Sequence, residues 1–190
     1  YAELNHNNYS EAKSLAESLL EQPDLSPKLQ GEAYNLLGMY EFYRNQNLEE
    51  AVLNFERALN IYEHAGLKLK VSKITVNIGA MLAIMGEREE AKNFWDKASS
   101  INEAIGDLDQ EAKLLMNYGI HFYDELEFER AIEYYRKAEK IFISIGDYYG
   151  RGLILINIGE TYLEMCEYEN TLESLMKAKS IFQKVGNKEY

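Results

Sequence analysis

The stretch "AIEYYRKAEKIFISIG" at residues 131–146 decides the fold, because its apolar residues recur at intervals of three and four. This spacing places them on one side of an α-helix, where they form a single stripe that must be buried. The stripe contains Ile132, Tyr135, Ala138, Ile141, Phe142 and Ile145. The glycine that closes the stretch, Gly146, is a typical residue just beyond the end of a helix. The stretch therefore predicts one amphipathic helix.

The same pattern returns every forty residues along the chain. Alanine or threonine begins each copy, an aromatic residue or leucine follows after four residues, and a second alanine follows after seven. These columns are Ala51, Ala91, Ala131 and Thr171; Phe55, Trp95, Tyr135 and Leu175; and Ala58, Ala98, Ala138 and Ala178. A fixed period of this length is the mark of a protein built from stacked structural repeats.

Each repeat also predicts a first helix before the one just described. Residues 110–124 carry Leu114, Leu115, Tyr118, Gly119 and Phe122 at helical intervals. The short polar connection "DELEFE" at 124–129 joins this helix to the next. A connection of that length suits two antiparallel helices packed as a hairpin.

A glycine recurs in the middle of each first helix, within "NIG" at 77–79, "NYG" at 117–119 and "NIG" at 157–159. Glycine costs about 1 kcal/mol relative to alanine inside a helix, so a periodic one needs a structural reason. Gly79, Gly119 and Gly159 each precede the alanine or threonine column by twelve residues. We expect these glycines to face the small residues of the second helix, so that the two backbones approach closely.

The ends of the helices carry their own signals. Gly66, Gly106, Gly146 and Gly186 are expected to close the second helices, and Asp107 and Asp147 to cap the first helices that follow. The first full repeat is irregular, because Gly38 precedes Ala51 by thirteen residues. We therefore expect the turn "RNQN" at 44–47 to hold one extra residue.

The glycine and alanine columns, the aromatic residue and the second alanine resemble the tetratricopeptide (TPR) repeat. The period of 40 residues is longer than the usual TPR length, and the proline that normally ends the second helix is missing; Tyr62, Asn102, Phe142 and Phe182 stand in that region. The longer unit is similar to the TPR subclass of kinesin light chains, Rap-type pheromone receptors and bacterial sensor proteins. The resemblance implies an all-α, right-handed superhelical solenoid of antiparallel hairpins.

The repeat pattern divides residues 1–190 into one array. Residues 1–22 form a half repeat, and full repeats are expected at 28–66, 67–106, 107–146 and 147–186. The segment "EQPDLSPK" at 21–28 contains both prolines and is expected to bend between hairpins. Neither end carries the polar surface of a finished solenoid, so we expect a fragment of a longer protein.

Composition argues against several functions. The net charge of −12 disfavours binding to nucleic acid and to membrane surfaces, and no apolar run approaches the length of a membrane span. The single cysteine, Cys166, permits no internal disulfide, which is compatible with a cytoplasmic location. His6, His64 and His121 lie far apart, so we expect no metal, no cofactor and no catalytic site.

The asparagines at 77, 117 and 157 form the column most suggestive of binding. Each lies two residues before the glycine, about 200° around the helix, and therefore on the side where TPR arrays have their concave groove. In TPR proteins of similar repeat length, such asparagines hold the main chain of an extended peptide. Asn35 is expected to represent the column in the first repeat. The residues expected beside these amides are Lys73, Lys113, Ile120, Tyr123 and Glu160.

Two interpretations of this column remain open. The amides bind a peptide, or they bond to neighbouring helices and water. By resemblance, the chain is expected to be a non-catalytic scaffold that binds a peptide or partner helix, as the sensory or interaction arm of a larger bacterial signalling protein. The alternative is a self-association module, in which the uncapped ends or the stretch "YYGRGLILINIG" at 148–159 pair two arrays.

Overall fold

The computed structural model describes residues 6–186, with side chains from Tyr9 onward, so the interpretation of His6 as a residue without a metal role lies outside the described side chains. Residues 6–186 form nine α-helices and no strands, so the predicted all-α class is confirmed. The helices are α1 (His6–Leu20), α2 (Pro27–Tyr40), α3 (Leu48–His64), α4 (Lys68–Met85), α5 (Arg88–Ile105), α6 (Leu108–Asp124), α7 (Phe128–Ile145), α8 (Tyr148–Glu164) and α9 (Tyr168–Gly186).

The chain divides into two compact units, residues 1–105 and 106–190. In the first unit α1 packs on α2, the hairpins are α2–α3 and α4–α5, and α3 packs on α4. In the second unit the hairpins are α6–α7 and α8–α9, and α7 packs on α8. Each helix therefore packs chiefly on its neighbours in the sequence within its unit, as expected when every repeat is one helical hairpin.

The core of each unit is built from the repeat columns. The alanines of the two alanine columns in α3, α5 and α7 are completely buried, and so the second helices lie close to their neighbours. Phe55, Trp95 and Tyr135 are buried beside them, whereas Leu175 in the last helix is more exposed. The periodicity of the sequence thus identifies the buried side of each second helix correctly.

Gly79 and Gly119 face aromatic rings as well as the alanine column, whereas Gly159 faces the side chain of Leu175. A Cβ atom at Gly119 would lie 2.3 Å from Cε1 of Tyr135, and one at Gly79 would lie 2.4 Å from Nε1 of Trp95. The alanine column contributes only through its backbone, since the same Cβ at Gly79 would lie 3.1 Å from the carbonyl oxygen of Ala91. The close approach to the backbone of the alanine column is thus present at Gly79, and the expectation is corrected only in part: at Gly79 and Gly119 the missing side chain also makes room for an aromatic ring.

The extra residue of the first hairpin lies in a π-helical segment, Glu41–Asn45, at the end of α2. This segment begins before the turn "RNQN" in which the extra residue was expected, and so that expectation is corrected in position. In a π-helical turn each backbone hydrogen bond spans five residues instead of four, so that a single inserted residue fits within the helix. The hairpin α2–α3 can then close without a longer loop.

Left-handed residues end the helices at a regular interval. Between the helices of each hairpin, φ is positive at Gln46, Gly86, Leu126 and Cys166, forty residues apart. Between hairpins it is positive at Gly66, Gly106 and Gly146. This conformation turns the chain sharply and lets backbone N–H groups after the helix bond to its last carbonyl groups. The predicted glycine ends are confirmed at these three positions.

The predicted aspartate caps are also present. The carboxylate of Asp107 accepts a hydrogen bond from the backbone N–H of Gln110 at 3.0 Å, and that of Asp147 accepts one from Gly150 at 2.9 Å. Ser26 occupies the same position before α2, where its hydroxyl lies 3.5 Å from the N–H of Leu29. Within residues 6–186, no helix is long and apolar enough to cross a membrane.

Candidate functional site

The asparagine column occupies a half-buried position on the first helices. Asn77 lies on α4, Asn117 on α6 and Asn157 on α8, each two residues before a buried glycine. None of these side-chain amides forms an intramolecular hydrogen bond within the described residues. Every fully buried side-chain polar atom there has a partner, so the three amides reach solvent. Donor and acceptor groups in this state are available to an incoming molecule.

Asn35 does not belong to this column. A Cβ at Gly38 would contact Phe55 and the carbonyl oxygen of Ala51, just as one at Gly79 would contact Trp95 and Ala91. The two glycines are therefore equivalent, and Leu36, two residues before Gly38, takes the place of Asn77. Asn35 lies one position earlier, where its amide approaches the sulfur of Met39 at 3.9 Å. The expected shift does not occur because the π-helical segment comes after this point.

In the first unit the surroundings of Asn77 are mostly apolar. Ala80, one turn later, is half-buried, and Lys73, one turn earlier, is exposed. Val76 is buried, and its carbonyl oxygen accepts a hydrogen bond from the indole N–H of Trp95 at 3.4 Å. Val76 therefore serves packing, while Lys73 and Ala80 remain accessible beside the amide.

In the second unit α6 and α8 contact each other and carry the remaining predicted residues. We call the asparagine face the surface formed by Asn117, Ile120 and Tyr123 on α6 and by Asn157 and Glu160 on α8. These positions recur at three-residue or six-residue intervals, and Ile120 and Glu160 are exposed. The face combines amides, an aliphatic side chain, a phenol and a carboxylate within one unit.

Two further observations define the electrostatics of this face. Partial burial raises the pKa of Tyr123, and the carboxylates of Glu164, Glu160 and Asp124 raise it further. Lys113, expected to flank the face with positive charge, forms an ion pair with Asp109 at 2.7 Å between Nζ and Oδ2. The electrostatic potential around Tyr123 is therefore negative.

Sequence reasoning missed Asp124 and Glu164, whose carboxylates help to raise the pKa of Tyr123. The two carboxylates lie forty residues apart, each seven residues after an asparagine of the column. Seven residues are two helical turns, so this spacing was a readable signal that places them on the same side as the amides.

Other candidate chemistry is dispersed. No group of three or more His, Cys, Asp or Glu side chains that could hold a metal ion occurs in the described residues. The Nδ1 atom of His64 lies 2.8 Å from the carbonyl oxygen of Asn60, and Nε2 of His121 lies 3.8 Å from Oε2 of Glu125. Both histidines thus contact groups of their own helix or of the adjoining turn. Cys166 is exposed at a left-handed turn position.

Comparison with known proteins bears on the fold. Residues 70–144 match the family model of the tetratricopeptide repeat. A search of curated proteins finds no match. Among solved structures, the Rap conjugation gene regulator of the plasmid pLS20, in complex with the Phr* peptide, superposes with a TM-score of 0.83 at 16% identity, covering 95% of this chain and 49% of that one.

Two further structures show the same fold. PlcR of Bacillus thuringiensis, in complex with the peptide PapR7 and DNA, gives a TM-score of 0.78 at 17% identity over 95% of this chain and 65% of that one. BtubC from P. vanneervenii gives 0.74 at 20% identity over 97% and 75%. The chain thus spans about half the length of the Rap regulator and under two thirds of PlcR.

Proposed function

We propose that the chain is a non-catalytic module that binds an extended peptide. Residues 70–144 match the family model of the tetratricopeptide repeat, and nearly the whole chain matches the fold of the Rap regulator. The asparagine face holds the main chain of the peptide through Asn117 and Asn157, and Asn77 acts in the same way in the first unit. The observation that carries the proposal is the repeated, half-buried amide that has no intramolecular partner.

The amides suit a main chain because each offers a donor and an acceptor. A peptide group presents the complementary pair, whatever side chain it carries. Two such contacts contribute about 2 kcal/mol, while micromolar binding requires about 8 kcal/mol. Apolar contacts must supply the difference, and Ile120 and Leu163 are exposed beside the amides for this purpose. The amides therefore set the position and direction of the peptide, and the side chains set most of the affinity.

Two of the similar structures were determined with a peptide bound: the Rap regulator with Phr* and PlcR with PapR7. At identities of 16% and 17% this likeness supports the fold, and it is consistent with a peptide ligand here. We extend the proposal to the role of the module as the sensory or interaction arm of a larger bacterial signalling protein, acting in the cytoplasm.

The double substitution Asn117→Ala and Asn157→Ala tests the proposal. The probe is a fluorescein-labelled pool of random heptapeptides with blocked ends, and binding is followed by fluorescence anisotropy. Loss of both amides should weaken binding about tenfold or more, since each contributes about 1 kcal/mol. The matched control, Asn60→Ala with Asn93→Ala, removes two exposed asparagines from second helices and should bind as the original chain does.

Circular dichroism and thermal melting separate loss of binding from loss of structure. Because the amides of Asn117 and Asn157 have no intramolecular partner, helicity and the melting temperature should not change. Unchanged peptide affinity in the double variant would show that these two amides do not bind the peptide.

Self-association is a second candidate, favoured by the apolar surface of α9. Leu172 and Met176 are each 62% exposed and lie four residues apart on one side of this helix. Within the stretch 148–159, by contrast, Ile154, Leu155 and Ile158 are buried inside the unit. Sedimentation across a concentration range decides between the candidates. A peptide-binding module stays monomeric, whereas a pairing module forms a dimer that Leu172→Lys with Met176→Lys abolishes.

A further inference from the structure

Three large apolar side chains are exposed where α7 ends and α8 begins. Ile143 is 52% exposed, and Tyr148 and Tyr149, the first two residues of α8, are 55% and 53% exposed. Eighty residues earlier, the equivalent turn of the first unit carries Glu63 in place of Ile143 and Lys68 in place of Tyr148. Because the same turn forms with charged residues at these two positions, the repeat does not require apolar ones there.

The first turn of α8 lies between the C-terminal ends of α7 and α9. The ring centroid of Tyr149 is 5.6 Å from that of Phe182 on α9. A Cβ atom at Gly150 would lie 2.6 Å from Cε1 of Phe142 on α7. The ends of α7 and α9 and the start of α8 therefore share one edge of the second unit, and the exposed apolar residues lie on it.

The charge at this edge is opposite in sign to that of the protein. Residues 136–152 and 176–186 contain seven Lys or Arg residues and two Asp or Glu residues, a net charge of +5. The whole chain has a net charge of −12, so the remainder carries −17. The equivalent residues of the first unit, 56–72 and 96–106, contain four basic and four acidic residues and are neutral. The positive charge is thus local and is not a property of every repeat.

Three lysines of this edge, Lys140, Lys179 and Lys184, are exposed and form no ion pair with any described residue. The attraction of a cation to the C-terminus of a helix is confined to about the last turn. Lys184 lies in the last turn of α9, but Lys140 and Lys179 lie five and seven residues before the ends of their helices. The helix dipole therefore explains only one of the three.

The two carboxylates of this edge are bonded to other groups. Glu139 forms ion pairs with Arg136 at 2.7 Å and with Arg151 at 3.3 Å. Asp147 accepts a hydrogen bond from the backbone N–H of Gly150 at 2.9 Å. Neither carboxylate pairs with the three lysines, so the edge offers positive charge and apolar surface together.

We propose that this edge binds a segment of a partner protein in which apolar side chains are flanked by carboxylates. We call the surface the basic edge, and it consists of Lys140, Ile143, Tyr148, Tyr149, Lys179 and Lys184. The apolar side chains of the partner cover the isoleucine and the two tyrosines, and its carboxylates pair with the lysines. A basic segment is repelled at this surface, and an uncharged one lacks the ionic contacts.

The inference goes beyond the proposed function, because it concerns a second surface. Asn157 follows Tyr148 by nine residues on α8, which is about 13 Å along the helix axis. The basic edge and the asparagine face can therefore be altered separately.

Two pools of fluorescein-labelled 14-residue peptides test the proposal by fluorescence anisotropy. In the acidic apolar pool, Leu, Phe and Met are mixed at positions 1, 4, 5, 8, 11 and 12, and glutamate fills the others. The second pool keeps the glutamates and has serine at those six positions. In 50 mM salt the original chain should bind the first pool about tenfold or more tightly than the second. Absence of binding, or equal binding of the two pools, overturns the basic edge.

The double variant Ile143→Glu with Tyr148→Lys tests the apolar part of the surface. It installs the residues of the equivalent turn in the first unit and leaves the net charge unchanged, so the chain should fold, as circular dichroism and thermal melting would show. Binding of the acidic apolar pool should weaken about tenfold. Unchanged binding by this folded variant overturns the proposal.

A triple variant tests the charge by exchanging the lysines of the basic edge for glutamine: Lys140→Gln, Lys179→Gln and Lys184→Gln. It should bind the acidic apolar pool about fivefold more weakly in 50 mM salt, and the difference should shrink as salt screens the charges. The matched control exchanges three exposed lysines elsewhere in the chain: Lys28→Gln, Lys68→Gln and Lys92→Gln. The control should bind as the original chain does. Equal weakening in both triple variants shows a general effect of net charge and overturns the basic edge.

Other occupants of this surface give different results. If the partner is a second copy, sedimentation shows a dimer that Ile143→Glu with Tyr148→Lys abolishes. If it is a membrane, vesicles of phosphatidylserine and phosphatidylcholine bind and the acidic apolar pool does not. Either result overturns the proposed partner. The variant Asn117→Ala with Asn157→Ala should bind the acidic apolar pool as the original chain does. Loss of this binding would place the pool on the asparagine face and overturn the basic edge while supporting the proposed function.

Discussion

Leu126 holds a left-handed backbone conformation in the turn between α6 and α7. Its φ is +61°, and its side chain is 73% exposed. This conformation brings the Cβ of an L-residue close to the following carbonyl oxygen and costs about 1–2 kcal/mol, a cost that glycine avoids. Gly86 occupies the same turn position forty residues earlier. The turn requires the left-handed backbone but not the leucine side chain, which is the source of the strain at position 126.

We predict that Leu126→Gly stabilises the protein by about 0.5–1 kcal/mol. Relief of the backbone strain exceeds the entropy that glycine loses on folding, and the exposed leucine gives up little packing. Urea denaturation measures the change in the free energy of unfolding. The control is Leu172→Gly, an exposed leucine in the same unit but inside α9, which should destabilise by about 1 kcal/mol. A loss of stability in Leu126→Gly would show that its side chain packs in the turn.

Tyr62 provides a test at alkaline pH. Its ring lies against Gly31, where a Cβ would be 2.3 Å from Cε1, and burial, followed by the charge of Glu32, raises the pKa of its hydroxyl from 10.0 to about 12. Below pH 10 the phenol is neutral in both folded and unfolded chains. Between pH 10 and about 12 the unfolded chain releases this proton and the folded chain retains it, so stability falls.

We predict that Tyr62→Phe loses less stability than the original chain between pH 8 and about pH 11, because phenylalanine keeps the ring and has no proton to release. The measurement is the urea midpoint at the two pH values. Tyr149→Phe, which removes an exposed hydroxyl, serves as the control and should follow the original chain. If both variants lose stability in parallel with the original chain, the alkaline transition has another origin.

At the scale of the element, the glycines of the first helices set how closely each hairpin packs. The Cβ of an alanine at position 119 would lie 2.3 Å and 2.4 Å from two carbons of the Tyr135 ring, which is fixed in the core. At position 159 it would lie 2.9 Å from Cδ2 of Leu175, a flexible and partly exposed side chain. The two glycines occupy equivalent positions but face neighbours of different stiffness.

We predict that Gly119→Ala destabilises the protein by about 1–2 kcal/mol, because the clash outweighs the gain of about 1 kcal/mol in helix propensity. Gly159→Ala should be neutral or stabilising by up to about 1 kcal/mol, since Leu175 can move. Thermal and urea unfolding measure both. Adding Tyr135→Leu to Gly119→Ala places a leucine opposite the new methyl group, as at position 175, and should recover part of the loss. Equal effects at the two glycine positions would contradict the role of the rings.

The sequence predicted the elements well because burial is periodic. The alanine and aromatic columns recur every forty residues, and each is buried where the second helices pack. The aspartates before α6 and α8 were predicted as caps because capping depends on a residue and its next three neighbours. Such local and repeated signals are readable without coordinates.

The remaining features depend on contacts that the pattern does not specify. Both Gly119 and Ala131 are small, so spacing alone could not show that the ring of Tyr135 fills the space beside the glycine. The extra residue before Ala51 can be absorbed by a longer turn or by a π-helical segment, and only the structure places it at Glu41–Asn45. Asn77, Asn117 and Asn157 lie at equivalent positions on α4, α6 and α8, whereas Asn35 does not, and the binding role of these amides is a proposal.

At the scale of the whole molecule, the excess of negative charge is the dominant property. The net charge is −12 over 190 residues, and the ion pairs within the described part are mostly between exposed side chains. Exposed pairs contribute little, whereas the repulsion among unpaired carboxylates adds up over the surface and opposes the compact state. Salt screens charges separated by more than about 10 Å at 0.1 M, and so it removes more repulsion than attraction here.

We predict that raising sodium chloride from 10 to 200 mM stabilises the protein by about 0.5–1 kcal/mol, measured as the shift of the urea midpoint. Glu56→Gln with Glu103→Gln removes two negative charges at exposed positions, so that the net charge changes from −12 to −10. Glu103 also lies in the last turn of α5, where the helix dipole disfavours a carboxylate. This variant should be more stable at low salt and respond less to added salt. A midpoint that falls with salt would instead show that ion pairs outweigh repulsion.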